Sequence, residues 1–222
     1  MCGGKYPKWK SPRQLLNVEG EPIVARTIRL LRECGIDDIA ISSNNDVFER
    51  FGVPMLQHDN DYVGIEYDRY EGYWCSAFYP TDYPVCYLFG DVVYSPEAIK
   101  TIVDYETDDI MFFGSAPPFS EYYCKPYIEP FAFKVVNTDH LKQAIEDVKA
   151  IDKQGRFNRR PIAWELWNVI SRGPGTDPNY IDHNSYVAIN DYTCDIDGPS
   201  EVGLVERIVR EMYLASPRFD SE

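Results

Sequence analysis

The order of apolar and polar positions in the N-terminal half predicts helices that alternate with short buried strands. Residues 22–34 repeat apolar side chains at helical spacing, with Pro22 suited to the first turn and Gly35 to the stop. Compact apolar runs at 38–42 and 85–89 predict buried strands. This β-α-β order predicts an α/β fold whose mostly parallel sheet is covered by helices on both faces. Ligands bind beyond the carboxyl ends of the strands in such sheets.

The remaining elements follow from the same periodicity, and the rhythm changes near residue 114. Before that point the pattern predicts a brief helix at 46–51, a strand at 54–57, a loop at 58–72, a short helix at 74–79, a helix opened by Ser95 and a strand at 110–113. After it, a segment rich in proline and aromatic residues leads to strands at 131–136 and 186–190, helices at 138–150 and 161–170, and a last helix opened by Pro199.

Composition describes an acidic chain of a size that suits one domain. A single domain over residues 1–222 can bury a real core. The formal net charge of −14 argues against nucleic acid as a partner, because nucleic-acid binding requires a basic face. No apolar run reaches the ~18 residues that span a bilayer, so we expect no membrane partner. Six widely spaced cysteines fit reduced thiols in the cytoplasm better than disulfides or a zinc site. A homodimer is left open.

Positive charge is concentrated at the start of this acidic chain, beside a pair of glycines. Cations that are gathered against the bulk charge usually meet a specific anion. The backbone N–H groups of a glycine-rich turn can also cradle phosphate. The segment therefore predicts a phosphate site, with a solvated basic loop as the alternative. Its residues are Gly3, Gly4, Lys5, Lys8, Lys10 and Arg13.

Acidic residues stand where two predicted elements end or begin. Asp91 follows the buried strand 85–89, at the edge of the sheet where ligands bind. Asp195 and Asp197 alternate with an isoleucine, so an extended segment would place both carboxylates on one side. Mg²⁺ favours one or two such carboxylates together with phosphate oxygens and water. The alternatives are a turn residue for Asp91 and a helix-start residue for Asp197.

Three segments of the chain, in order, resemble the nucleotidyltransferases that activate sugar phosphates and related phospho-compounds. Those enzymes open with G-G-x-x-x-R and then P-K-x-L-L-x-x-x-G-x-P; this chain has GGKYPK at 3–8 and PRQLLNVEGEP at 12–22. Its Gly-Asp pair at 90–91 and DIDGPS at 195–200 match the family's Gly-Asp and D-I-D-T-P runs. Arg13 replaces the family's lysine, and an arginine fork is not equivalent to an ammonium. The family's first apolar strand is reduced here to two residues before the glycines.

The resemblance implies a Rossmann-like, three-layer α/β/α fold of the GT-A-like nucleotidyltransferase kind, with its first strand truncated. It implies Mg²⁺-dependent transfer of a nucleoside monophosphate from an NTP to a phosphomonoester, with release of pyrophosphate. CTP is favoured as the donor, because the short glycine loop and small size resemble the cytidylyltransferase and molybdenum-cofactor branches. Cell-surface polysaccharide biosynthesis is a frequent setting of this family. The triphosphate would be bound by Lys8, Arg13, Gly3, Gly4 and Lys5, and Mg²⁺ by Asp91, Asp197 and, as a second choice, Asp195.

The same comparison divides the chain by role. Residues 1–113 would form the nucleotide-binding half, 114–190 the acceptor-binding region, and 191–214 the metal-site segment with the last helix. In the acceptor region, aromatic residues near acids could form a cage for a cationic phospho-substrate such as a phosphocholine-like compound. They could equally stack on a sugar or fill the core. The candidates are Glu129, Trp164 and Glu165.

Two rival functions from other classes are left open by the sequence. A glycosyltransferase with a related sheet would use a D-x-D metal motif, which DID at 195–197 matches in letters but near the C-terminus. A non-catalytic nucleotide-binding protein would also agree with Arg13 and with the reduced first strand. Release of pyrophosphate separates the predicted reaction from both rivals.

Overall fold

The computed structural model describes residues 1–2, 11–43, 45–57, 78–116, 128–159, 161–180, 182 and 184–215, with side chains described as far as residue 211. The predicted loop at 58–72 and most of the helix predicted at 74–79 lie outside these residues. The other predicted helices and strands are present within them, with boundaries that differ by up to about three residues.

The described residues form ten strands and five α-helices. The strands are β1 (Asn17–Val18), β2 (Glu21–Pro22), β3 (Ile41–Ser42), β4 (Met55–Leu56), β5 (Val85–Leu88), β6 (Val92–Val93), β7 (Ile110–Ser115), β8 (Pro130–Val135), β9 (Val187–Ile189) and β10 (Cys194–Asp195). The helices are α1 (Ile23–Glu33), α2 (Pro96–Asp104), α3 (Thr138–Lys153), α4 (Ala163–Arg172) and α5 (Val202–Ala215), with 3₁₀ turns at Arg13–Leu15, Asp46–Phe51 and Pro199–Glu201.

The largest described sheet has four strands in the order β5-β8-β7-β9. Strand β8 is antiparallel to both β5 and β7, whereas β9 is parallel to β7. Strands β5, β7 and β9 therefore share one direction and β8 runs against them. Only the β7–β9 neighbours of this described sheet pair in parallel, so the predicted mostly parallel sheet is present in part. Sequence could not reveal this reversal, because a buried apolar strand has the same pattern in either direction.

The first two residues connect this sheet to the parallel pair β3–β4. The backbone nitrogen of Cys2 donates to the carbonyl oxygen of Ser42 at 2.9 Å. On the other side, the nitrogen of Met1 donates to the Leu88 oxygen at 2.7 Å, and the nitrogen of Gly90 donates to the Met1 oxygen at 2.9 Å. Met1 and Cys2 thus lie between β3 and β5, where the resemblance predicts the first strand.

Local sequence explains where the helices around the sheet begin. Ser95 caps α2, since its hydroxyl accepts a hydrogen bond from the nitrogen of Ala98 at 2.8 Å, and Pro96 occupies the first turn. Asn137 caps α3 in the same way through the nitrogen of His140. Helix α1 contacts α2, and α3 contacts α4. The result is an α/β fold in which helices cover the strands.

Two clusters of buried apolar side chains hold these elements together. The larger cluster lies around the four-stranded sheet and includes Phe112, Phe131 and Phe133, which are fully buried. A smaller cluster joins β6, β10 and α5, and it includes Ile196 and Val205. The smaller cluster matters for function, because it fixes the segment that carries the predicted metal-binding acids.

Candidate active site

Asp91 stands at the carboxyl end of β5, in the turn that leads to β6. The preceding Gly90 is in close contact with the first residues of the chain, because a Cβ atom there would lie 3.0 Å or less from atoms of Cys2, Met1 and Gln14. The close packing of Gly90 therefore fixes the backbone that places the Asp91 carboxylate at the sheet edge. Its side chain is 20% exposed.

The C-terminal acids come close to Asp91 through a short antiparallel ladder. Strand β10 pairs with β6, with Asp195 opposite Val92, and the nitrogen of Ile196 donates to the Asp91 carbonyl oxygen at 3.3 Å. The segments around Asp91 and Asp195 are thus neighbours in space, although they lie about a hundred residues apart in sequence. This proximity agrees with the prediction that the two segments contribute to one site.

Alternation along the segment after β10 separates its apolar and acidic side chains. Ile196 is fully buried in the smaller cluster, and the carboxylates of Asp195 and Asp197 lie together away from it. The nitrogen of Asp197 donates to the Glu201 carboxylate at 2.8 Å, which fixes the backbone at the approach to α5. The common side that alternation predicts for Asp195 and Asp197 is therefore observed.

Glu129 joins these two aspartates from another part of the fold. It precedes β8, and its backbone is held to the end of β7 by two hydrogen bonds with Ser115, at 2.8 and 2.9 Å. One carboxylate oxygen from each of Glu129, Asp195 and Asp197 lies within 4.8 Å of the other two. We refer to these three residues as the carboxylate triad. Three hard oxygen donors at this spacing suit a divalent cation such as Mg²⁺.

Arg13 connects the carboxylate triad to Asp91. Its guanidinium donates through Nη2 to Oδ2 of Asp91, and through Nη1 to Oδ1 of Asp197 at 3.0 Å. The same Nη1 donates to the carbonyl oxygen of Ile196 at 2.8 Å. The Arg13 side chain is only 3% exposed. The residue that was predicted to bind triphosphate is thus in direct contact with two of the predicted metal-binding acids.

The other predicted site residues are placed differently. Trp164 is buried, and its Nε1 donates to the Ile128 carbonyl oxygen at 2.9 Å while its ring packs edge-on against Phe112. Glu165 accepts hydrogen bonds from the nitrogen of Ile162 at 2.9 Å and from Arg159 at 2.6 Å. These contacts are those of core packing and of a helix cap. Gly3, Gly4, Lys5 and Lys8 lie outside the described residues.

The position of Glu129 beside Asp195 and Asp197 was not predicted from the sequence. Glu129 was predicted among aromatic residues on the acceptor side, whereas its carboxylate joins Asp195 and Asp197. A usable signal existed, because Glu129 directly precedes an apolar strand and acids at strand ends gather at one edge of a sheet. That signal depended on knowing that β8 is reversed, since the reversal brings the beginning of β8 to the edge where β5 ends.

No helix in the described part of the chain combines the length and apolar composition that a membrane-spanning segment needs. Cys2, Cys34 and Cys86 carry free thiols. Burial raises the pKa of the Cys2 thiol, and this effect exceeds the opposing effect of the N-terminal ammonium. The thiol beside the candidate site is therefore protonated and uncharged at neutral pH.

The α/β fold, with carboxylates gathered at a strand end, agrees with the class of nucleotidyltransferases. The chain belongs to the family of the MobA-like NTP transferase domain, whose profile matches residues 1–153. This match confirms the family that the motif order indicated. A comparison with curated proteins finds no match.

One solved structure supports this fold. A protein assigned as glucose-1-phosphate thymidylyltransferase from Bacillus anthracis, solved with sucrose, is similar with a TM-score of 0.55 and 13% identity over 95% of this chain and 93% of that one. The CTP:phosphocholine cytidylyltransferase from Streptococcus pneumoniae gives a TM-score of 0.47 and 14% identity, over 94% of this chain and 96% of that one.

Proposed function

We propose that this protein transfers a nucleoside monophosphate from an NTP to a phosphomonoester and releases pyrophosphate. The observation that carries the proposal is the carboxylate triad beside Asp91, at the end of β5, in a chain of the MobA-like NTP transferase family. An acidic cluster at that edge would suit phosphate chemistry by holding a divalent cation, which would neutralise the negative charge of the phosphates. The cytoplasm, where reduced cysteines and NTPs occur together, is the proposed location.

In this reaction an oxygen of the acceptor phosphate attacks the α-phosphorus, and the bond from that phosphorus to the β-phosphate oxygen breaks. The electron pair leaves with pyrophosphate. A phosphomonoester has its second pKa near 6 and is mostly a dianion at pH 7, so no general base is required. Positioning and charge neutralisation then supply the catalysis. This agrees with a site that is built from carboxylates and cations.

Glu129, Asp195 and Asp197 would hold Mg²⁺, because carboxylate oxygens are its preferred protein ligands. The ion would neutralise charge on the phosphate oxygens. Lys8, Lys5 and the backbone of Gly3 and Gly4 are proposed to bind the triphosphate.

The proposal also names the donor nucleotide and the class of acceptor. We favour CTP as the donor, on the short glycine loop and the small size of the chain. The acceptor would be a sugar 1-phosphate or a small phospho-compound, such as one that resembles phosphocholine. Residues 114–190, apart from Glu129, would contact the acceptor, since they fall outside the segments that match the nucleotide-binding motifs.

The decisive test is release of pyrophosphate from each of the four NTPs with Mg²⁺ and a panel of phosphomonoesters. We expect one NTP to support turnover, and Asp197→Asn to lower kcat by about 100-fold or more while the fold is retained. Asp104→Asn is the matched control, because Asp104 is an exposed partner of Lys100. Equal kcat in wild type and Asp197→Asn would contradict the assignment of the site.

A non-catalytic nucleotide-binding protein is the second candidate, and one observation favours it. Arg13 already forms ion pairs with Asp91 and Asp197, as a structural salt-bridge network would. In that case NTPs would raise the melting temperature without any release of pyrophosphate. Release of a nucleoside diphosphate from a nucleotide sugar would instead indicate a glycosyltransferase.

A further inference from the structure

The Arg13 side chain is firmly held by contacts within the protein. Its side chain is 3% exposed, and its guanidinium donates to Asp91, to Asp197 and to the carbonyl oxygen of Ile196. Those partners lie 78, 184 and 183 positions later in the chain. A single side chain therefore connects the turn after β5 to the segment between β10 and α5.

The geometry of this contact depends on the shape of the guanidinium. Two separate nitrogens, Nη1 and Nη2, donate to carboxylates on two different segments at the same time. A planar fork does this at fixed angles, whereas an ammonium presents one nitrogen at the end of a flexible stem. Arginine at this position is thus suited to hold two carboxylates in a set relation.

The positive charge of Arg13 also reduces the repulsion among the neighbouring carboxylates. The carboxylate triad and Asp91 are four acidic groups in one small region, and like charges that lie close together repel one another. Arg13 places one positive charge directly against Asp91 and Asp197. Its contact with Ile196 also fixes the backbone between Asp195 and Asp197. Arg13 can therefore keep the triad assembled before any cation binds.

We propose that Arg13 is a positioning residue for the cation site, and that it acts on the carboxylates instead of on the triphosphate. It orients Asp197 directly and Asp195 through the backbone of Ile196. This inference rests on the proposed function, which makes the triad a cation site. Hydrogen-bonding partners behind metal ligands of this kind typically change metal affinity by about 10–100-fold when they are replaced.

Arg13→Lys separates this role from phosphate binding. The substitution keeps the positive charge, and lysine is a good phosphate ligand, but one ammonium cannot reproduce two fixed hydrogen bonds to separate segments. Because the matching motif carries lysine at this position, a phosphate-binding role would largely survive the change, whereas the positioning role would not.

Arg26→Lys is the matched control. Arg26 is also buried, and it also uses two nitrogens, to the Tyr94 carbonyl oxygen at 3.2 Å and the Tyr192 hydroxyl at 2.9 Å. Burial raises the pKa of Tyr192, so that hydroxyl is uncharged at neutral pH. The control substitution thus removes a guanidinium that is buried like that of Arg13. The two groups to which Arg26 donates are a carbonyl oxygen and a hydroxyl, and neither is a carboxylate.

The experiment measures Mn²⁺ binding by electron paramagnetic resonance and calorimetry, without nucleotide, because Mn²⁺ accepts the same oxygen ligands as Mg²⁺. We expect Arg13→Lys to raise the Kd for Mn²⁺ at least about tenfold, and Arg26→Lys to leave it within about twofold. At saturating metal, the KM for the NTP should be unchanged in Arg13→Lys. Circular dichroism confirms that each variant is folded.

The outcomes separate the inference from the function on which it rests. Wild-type binding of Mn²⁺ with an unchanged Kd in Arg13→Lys would overturn the positioning role and leave the proposed function in place. Failure of the wild type to bind Mn²⁺, or to release pyrophosphate, would overturn the proposed function itself.

A measurement on the wild type covers the case in which Arg13→Lys does not fold. In ¹H–¹⁵N spectra, the slowly exchanging guanidinium protons of Arg13 should remain protected after Mg²⁺ and NTP are added. Loss of their protection, or a large shift that depends on the NTP alone, would place Arg13 on the triphosphate and overturn the proposal.

Discussion

Gly90 and Cys2 approach so closely that no side chain fits between them. A Cβ atom at position 90 would lie 2.5 Å from Sγ of Cys2 and 2.6 Å from the carbonyl oxygen of Met1. The nitrogen of Gly90 also donates to that Met1 oxygen at 2.9 Å. The glycine of the Gly-Asp pair is therefore required by packing against the start of the chain, and Asp91 is positioned as a consequence.

Gly90→Ala should destabilise the protein and displace Asp91. We expect the free energy of unfolding to fall by about 1–3 kcal/mol, because the added methyl group forces Cys2 and the Met1 backbone to move. Denaturation in urea, followed by tryptophan fluorescence, measures the change. Gly175→Ala is the control, since a Cβ atom there would meet no atom of the described residues within 4 Å. Equal losses in the two variants would show that Gly90 is not specifically constrained.

Glu129→Gln should weaken the response to Mg²⁺. The substitution retains the shape of the side chain and removes one of three negative charges within 4.8 Å. We expect the Mg²⁺ concentration at half-maximal thermal stabilisation to rise about tenfold, since carboxylates bind this ion far better than amides do. Differential scanning fluorimetry across a Mg²⁺ titration tests this.

The control for this substitution is Glu146→Gln, on an exposed part of α3. The same Mg²⁺ response in wild type, Glu129→Gln and the control would exclude Glu129 from the cation site. A changed response in both variants would point to a non-specific effect of surface charge.

Glu165→Gln should affect stability and not the acceptor. Glu165 caps α4 through the nitrogen of Ile162 and forms an ion pair with Arg159. Losing these charge-assisted contacts should cost about 1–2 kcal/mol of the free energy of unfolding, while the KM for the acceptor is unchanged. Steady-state kinetics and urea denaturation on the same samples measure both. A several-fold rise in that KM would instead support the acceptor role predicted from sequence.

Cys2 should react slowly with thiol reagents until the pH is high. Burial raises the pKa of its thiol, and only the thiolate is nucleophilic, so alkylation at pH 8 should be at least about tenfold slower than at Cys34, which is partly exposed. In denaturant the two rates should become similar. Peptide mapping by mass spectrometry measures both rates.

The same pKa shift predicts a change of stability with pH. Because the Cys2 pKa is higher in the folded protein, its contribution to stability is complete below the pKa of the unfolded thiol and is lost as the pH rises towards the folded value. Unfolding free energies should therefore decline above about pH 9. A Cys2→Ser variant should show a smaller decline, and an identical decline would exclude Cys2 as the source.

Local sequence was sufficient to predict most of the elements. Helix α1 follows from apolar spacing and from Pro22, and α2 from the Ser95 cap, since both signals act within one or two turns. The reversed strand β8 was not predictable in the same way. Its apolar run indicates burial, but direction depends on which neighbours it pairs with across the sheet.

The candidate site was also only partly predictable from local sequence. Alternation in residues 195–197 was enough to place Asp195 and Asp197 on one side, because strand geometry is local. The approach of Glu129 to them depends on the order of β8 and β7, and the contacts of Arg13 depend on segments far away in the chain. The contacts of Arg13 have no local signal, and the position of Glu129 before an apolar strand becomes informative only when the direction of β8 is known.

By itself, the sequence determined the family, the α/β class and the positions of Asp91, Asp195 and Asp197 at the ends of elements, because motif order, periodicity and residue chemistry are properties of the chain. Tertiary structure alone decided that Glu129 completes the carboxylate triad and that Arg13 connects it to Asp91. The physical reason is that distances between side chains remote in sequence are set by strand pairing and core packing, which no local pattern encodes.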